Sequence, residues 1–392
     1  MSLADNIDFL RNLPKVPGFN GLDMFSRPGA PAGHSPISES TDFGSNPGDL
    51  RMLSFVPTGA AAKPALVVVM HGCTQTAAGY DVGTGWSALA EQYGFALLMP
   101  EQKSSNNANT CFNWFGSEDI TRGSGEALSV RQMIEQMVVR HQVDRKRIFI
   151  TGLSAGGAMT SVMLATYPEV FAAGAIIAGL PYGVARSMQE ALGAMFRAPS
   201  HAAADLGDLV RKASPHVGPW PKVSVWHGSA DRTVNPANAN EIVKQWLDVH
   251  GLPAAPMSVA EVDGTPRQVW WNAAGETVVE SYTIPNMAHG TPLAIAGVEE
   301  PYGAAGAFLL EAGIASSAHI AKFFGLTRQV VPPVTVAAKT DLVVDVVEVT
   351  ELPKQPRRAD DRRQAPRTPR GRRALDINGV ITRALSAAGL IK

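Results

Sequence analysis

Residues 147–167 read RIFITGLSAGGAMTSVMLATY. A short β-prone run, Arg147 to Ile150, passes through Gly152-Leu153-Ser154-Ala155-Gly156 into a stretch of small and apolar residues at helical spacing, from about Ala155 to Tyr167. A strand that turns into a helix with no loop between them forces its backbone against its neighbours, and glycines two positions either side of the serine allow that approach. The serine hydroxyl then projects above the end of the strand. It lies at a helix N-terminus, where developing negative charge is favoured. Ser154 is therefore the candidate nucleophile, the alternative being an ordinary strand-to-helix connection.

The flanking sequence supplies the rest of such a fold. Met52–Pro57, Ala65–Met70 and Phe95–Met99 read as strands, Trp86–Tyr93 as an amphipathic helix and Glu126–His141 as a longer helix. Further strands are expected at Phe171–Ile177, Val223–His227 and Thr277–Ile284, with helices at Pro236–His250 and Ala304–Phe324. Strands alternating with helices predict an α/β protein with a mostly parallel central sheet and helices on both faces.

An acyl-transfer serine needs a base and a carboxylate that orients the base. His250 and His319 fall in helical stretches, whereas His289 stands in PNMAHGTP, just after an apolar strand. Asp231 follows the strand in VSVWHGSADRTVNP, while Asp205, Asp208, Asp248 and Asp263 lack a preceding strand. A turn-capping role is the alternative for Asp231. His227 is expected to pack or hydrogen-bond locally. The order Ser154, Asp231, His289 suits a serine hydrolase, with backbone N–H groups of Ala155 and Cys73 as candidate oxyanion donors, the latter after the strand in LVVVMHGCTQ.

The 392 residues carry a net charge of −1 and 45% hydrophobic residues, which excludes a polyanion-binding role for the chain as a whole, nucleic acid included, and contain no apolar run able to span a bilayer. The N-terminus, MSLADNIDFLRNLP, lacks the basic and apolar regions of a classical signal peptide, so a cytoplasmic location is expected. Two cysteines, Cys73 and Cys111, allow one bridge or two free thiols and no four-cysteine metal site. Residues 1–46 read as a lead-in segment, 47–324 as the catalytic domain and 325–373 as a Pro/Arg-rich linker. Residues 374–392 read as a short amphipathic helix. The linker includes KQPRRADDRRQAPRTPRGRR, nine basic residues against two acidic. This tail is a solvated linker by composition and a candidate for docking on a granule or anionic surface.

The motifs VVVMHGCTQ, GFALLMPEQ, CFNWF, TGLSAGGAM, PYGVA, VWHGSADRTVNPANA and SYTIPNMAHGTP together resemble the esterase family that contains polyhydroxybutyrate depolymerases and related feruloyl and acetylxylan esterases. The resemblance runs from about Leu50 to Phe324. It implies an α/β-hydrolase fold, carboxylester hydrolysis without metal or organic cofactor, and a polyester or oligoester substrate, short-chain polyhydroxyalkanoate esters first. It also implies a Cys73–Cys111 bridge that holds Trp114 beside the active site as a substrate-binding residue, and an extracellular location as the alternative to the cytoplasm. Secreted depolymerases of this kind generally carry a signal peptide and often a separate substrate-binding domain, neither of which is evident in this sequence.

Overall fold

A computed structural model of the chain describes residues 31, 33–299 and 301–327. The strands are β1 (Ser38–Ser40), β2 (Arg51–Phe55), β3 (Leu66–Met70), β4 (Ala96–Glu101), β5 (Ile148–Leu153) and β6 (Ala173–Ile177), followed by β7 (Lys222–Gly228), β8 (Ser258–Val262), β9 (Thr265–Trp271) and β10 (Thr277–Ile284). They form one sheet in the order β1-β2-β4-β3-β5-β6-β7-β10-β9-β8. The six from β4 to β10 pair in parallel, and antiparallel strands complete both edges.

Side-chain alternation along the central strands builds two cores. Leu66, Val68 and Met70 of β3, Ile148 and Ile150 of β5, and Val223 and Val225 of β7 face one side. Helices α3 (Gly125–His141), α4 (Ala155–Thr166), α5 (Met188–Arg197), α6 (Ala203–Lys212) and α7 (Ala237–His250) cover that side. Val67, Val69, Phe149 and Trp226 face the other, under α1 (Ala77–Thr84), α2 (Trp86–Tyr93) and α8 (Ser316–Phe323). On this second side Trp226 stacks on Tyr282 at 3.7 Å and Phe149 on Phe324 at 4.7 Å between ring centroids. Strands buried on both faces explain the near-continuous apolar runs of the sequence.

Two elements differ from expectation. The helix expected over Ala304–Phe324 is only α8 at its C-terminal end. Before it, β12 (Leu309–Glu311) pairs in parallel with β11 (Thr291–Leu293), and Gly313 at φ 71° lies between that strand and the helix. The lead-in segment contributes β1, which lies antiparallel to β2 at the sheet edge. Short connecting elements missed in the sequence include α1, α5, α6 and the β8–β9 hairpin. The basic stretch 354–373 and the helix expected over 374–392 lie outside the described residues.

The register of the parallel strands aligns their C-terminal ends: Met70 is opposite Gly152, Leu153 opposite Ile177, Ile177 opposite Trp226, and Gly228 opposite Ile284. The connections that follow β3, β5, β7 and β10 therefore open on one edge of the sheet, where α/β proteins place their sites. The tightest of them depends on Gly156. A Cβ there would lie 2.3 Å from the Met70 carbonyl oxygen and 2.5 Å from that of His71, and neither backbone atom can rotate away. Gly156→Ala is accordingly expected to cost about 3 kcal/mol or more; an unchanged melting temperature in thermal unfolding would contradict the packing described.

Candidate active site

Ser154 sits between β5 and α4 with φ 57° and ψ −116°, a conformation that a non-glycine residue holds only when its surroundings impose it. Its N–H donates to the Ile177 carbonyl at 2.9 Å, and its carbonyl accepts from Ala158 at 2.8 Å. The turn is thus pinned to β6 on one side and to the first turn of α4 on the other. The Ser154 hydroxyl makes no hydrogen bond to another described residue and opens on a cavity of about 120 Å³.

His289 lines the same cavity. Its Nδ1 lies 2.7 Å from Asp231 Oδ2, so Nδ1 carries the proton donated to the carboxylate and Nε2 is the nitrogen left for other chemistry. Ser154 and His289 share the cavity wall without a direct hydrogen bond, a separation common in unliganded hydrolases. Phe308, at φ 59°, packs edge-on against the imidazole with 5.9 Å between ring centroids.

Asp231 uses both carboxylate oxygens. Oδ1 accepts from the N–H groups of Thr233 at 2.8 Å and Val234 at 2.9 Å, which closes the turn after β7, while Oδ2 faces His289 and, at 3.2 Å, His227 Nε2. The turn-capping role and the partnership with histidine are therefore two halves of one carboxylate. Burial pushes its protonation upward, but the hydrogen bonds and charges of His227 and His289 outweigh burial and hold it well below the ordinary carboxylate range.

The loop after β3 is set by side chains around it. The Gly72 N–H donates to Gln75 Oε1 at 2.9 Å, Gln75 Nε2 reaches the Ala307 carbonyl at 3.3 Å, and the Thr74 N–H donates to the Asn109 carbonyl at 2.7 Å. His71 is buried, and burial pushes its imidazole down; its Nε2 accepts from the Gln102 N–H and its Nδ1 donates to the Gly72 carbonyl. Among the described residues, the N–H groups of Cys73 and Ala155 have no acceptor, and both residues flank the serine turn. Cys73 and Cys111 form a disulfide across a separation of 38 residues, joining this loop to the segment that carries Trp114.

Trp114 and Phe115 meet edge to face at 5.4 Å and form one cavity wall. Helix α5 also lines the cavity, through Met188, Ala191, Leu192 and Met195. That i, i+3, i+4, i+7 spacing is the pattern of any buried helix face and does not by itself mark a cavity wall. No group of three or more His, Cys, Asp or Glu side chains that could hold a metal exists among the described residues.

The sequence profile of the family described as Esterase PHB depolymerase matches residues 50–265. The chain belongs to this family. The esterase is 48% identical over 291 residues to poly(3-hydroxyalkanoate) depolymerase C of Paucimonas lemoignei, a match covering 74% of this chain and 70% of that relative. It is 32% identical over 276 residues to acetylxylan esterase of Coprinopsis cinerea, covering 68% of this chain and 71% of that one. Among solved structures it is similar to acetyl xylan esterase from Aspergillus awamori, with TM-score 0.62 and 24% identity over 74% of this chain and 100% of the other. This PHB depolymerase family esterase is a carboxylic ester hydrolase with the α/β-hydrolase fold.

A buried carboxylate supports the Trp114 wall. Glu126, in the first turn of α3, accepts from Gln102 Nε2 at 2.6 Å, Asn113 Nδ2 at 2.8 Å and the Asn113 N–H at 2.9 Å. Burial, then the charge of Asp119, push its carboxyl up to about 8 against the pull of those donors. A carboxyl raised in the folded state binds its proton more tightly there than in the unfolded chain. Its contribution is fully present at acid pH and is lost as pH rises from the ordinary carboxylate range through about 8. Calorimetry from pH 4 to 9 should show the melting temperature of Glu126→Gln gaining on that of the wild type as pH rises; a constant difference would argue against the raised carboxyl.

Proposed function

We propose that the esterase cleaves short-chain polyhydroxyalkanoate esters, poly- or oligo-3-hydroxybutyrate first, with Ser154 as nucleophile, His289 as base and Asp231 as the group that orients it. The observation that carries the reading is the shared cavity. Ser154 and His289 both open on it, and the imidazole is held by Asp231 at 2.7 Å through the nitrogen facing away from the serine chemistry.

In this mechanism His289 Nε2 takes the Ser154 proton as the oxygen attacks the ester carbonyl. The tetrahedral oxyanion is received by the N–H groups of Cys73 and Ala155, the latter at the N-terminus of α4, where the helix dipole adds to the stabilisation. The imidazolium then returns its proton to the leaving alcohol oxygen, and the acyl-enzyme forms. Water enters, loses a proton to the same Nε2 and attacks the acyl carbon, releasing a hydroxy acid or its oligomer and restoring the serine.

The substrate class rests on two supports. A cavity of about 120 Å³ lined by Trp114, Phe115, Met188, Leu192 and Met195 favours a compact, apolar acyl unit. The relative at 48% identity is named for poly(3-hydroxyalkanoate) depolymerisation. Trp114 is assigned here as a substrate-binding wall residue.

The test compares wild type, Ser154→Ala and Asp231→Asn on p-nitrophenyl butyrate, soluble 3-hydroxybutyrate oligomers, suspended polyhydroxybutyrate, and feruloyl and acetyl-xylan esters. Each substitution is expected to lower kcat on the order of 10⁴-fold, with 3-hydroxybutyrate esters the best natural substrates. Activity surviving in Ser154→Ala would remove the nucleophile assignment. Faster turnover of the plant-type esters would leave the serine mechanism and replace the substrate.

A further inference from the structure

Asp231 has a second imidazole partner that the proposed mechanism does not use. His227 is 2% exposed, near the C-terminal end of β7. Its Nε2 lies 2.9 Å from the Val234 carbonyl oxygen and 3.2 Å from Asp231 Oδ2. A carbonyl oxygen only accepts, so Nε2 carries the ring proton and that single N–H is shared between the carbonyl and the carboxylate. The other ring nitrogen, Nδ1, is buried with no partner among the described residues. Burying an unpaired ring nitrogen is unfavourable, and an apolar side chain at this place would avoid it. Packing alone therefore does not account for a histidine.

We infer that His227 is a positioning residue for ester hydrolysis: its Nε2–H holds Asp231 Oδ2 in line with His289 Nδ1 and draws off part of the carboxylate's negative charge. The inference rests on the triad reading above. Among the described residues, the titratable groups that act on Asp231 are His227 from β7 and His289 from the loop after β10. With Thr233 and Val234 on Oδ1, the carboxylate receives four donors. Oδ2 is then a weaker base than a carboxylate facing His289 alone. Removing the His227 donor would make Oδ2 a stronger base and tighten its hold on the protonated imidazole, an effect that the acid limb of the rate profile reads.

The experiment is the pH dependence of kcat/KM for p-nitrophenyl butyrate, from pH 5 to 9, in the full-length wild type, His227→Gln, His227→Leu and Asp231→Asn. Glutamine places an N–H donor close to the position of the imidazole Nε2, so His227→Gln should keep the wild-type acid limb. His227→Leu removes the donor, and its acid limb should move up by about one pH unit, with kcat at neutral pH falling about tenfold and KM within about twofold. If the leucine variant fails to fold, His227→Asn, whose amide stops short of Asp231, takes its place with the same expected shift. An acid limb that stays at the wild-type position in a folded donor-free variant would overturn the role of His227, as would equal displacement in the glutamine and leucine variants. Should Asp231→Asn retain activity, the triad reading falls and this role with it. An inactive Asp231→Asn beside an unmoved acid limb would reject His227 alone.

Discussion

The contact between the first turn of α4 and the end of β3 is the constraint on which the site depends. Gly156 has no Cβ, and the carbonyl oxygens of Met70 and His71 occupy the space where one would be. That absence lets the helix start against the sheet, which forces Ser154 into its positive-φ conformation. The loop that follows β3 there carries Cys73, which lines the same cavity as Ser154. The strained serine and its place at a helix N-terminus are consequences of one close backbone approach.

Around that approach, two carboxylates organise neighbouring segments by accepting from backbone and side chain together. Asp231 closes the turn after β7 with one oxygen and receives two imidazoles with the other. Glu126 gathers the end of β4 and the loop before α3 by the same means. Each stays buried because its lone pairs are occupied, the condition under which a buried charge or hydrogen-bonded acid is tolerated.

What the sequence reveals and conceals follows from the range of the interactions involved. The strand ends carrying Ser154, Asp231 and His289 are legible because apolar runs, glycines and turn residues act within a few positions of each. The α5 wall is not, since Met188, Leu192 and Met195 have the spacing of any buried helix face and only the tertiary fold turns them toward the serine. Phe308 lies in a segment that reads as helix. There, pairing of β12 with β11 overrides local periodicity. The link from His227 to Asp231 is equally hidden: a four-residue separation suggests contact on a helix, yet these two meet across a strand end and a turn. Resemblance to a family supplied what periodicity could not, namely ester hydrolysis as the chemistry and the pairing of Cys73 with Cys111.

The disulfide between Cys73 and Cys111 has a consequence for how such an enzyme changes its substrate range over evolutionary time. It fastens the loop that carries Cys73, the proposed oxyanion donor, to the loop that carries Trp114, so under that proposal reshaping the aromatic wall also moves the contact offered to the transition state. The lining residues on α5 have no such tether, because they stand on an element that the disulfide does not join. Under the proposed mechanism, acyl preference is therefore more freely altered at Met188, Leu192 and Met195 than at the bridged wall, with Ser154 and His289 left in place.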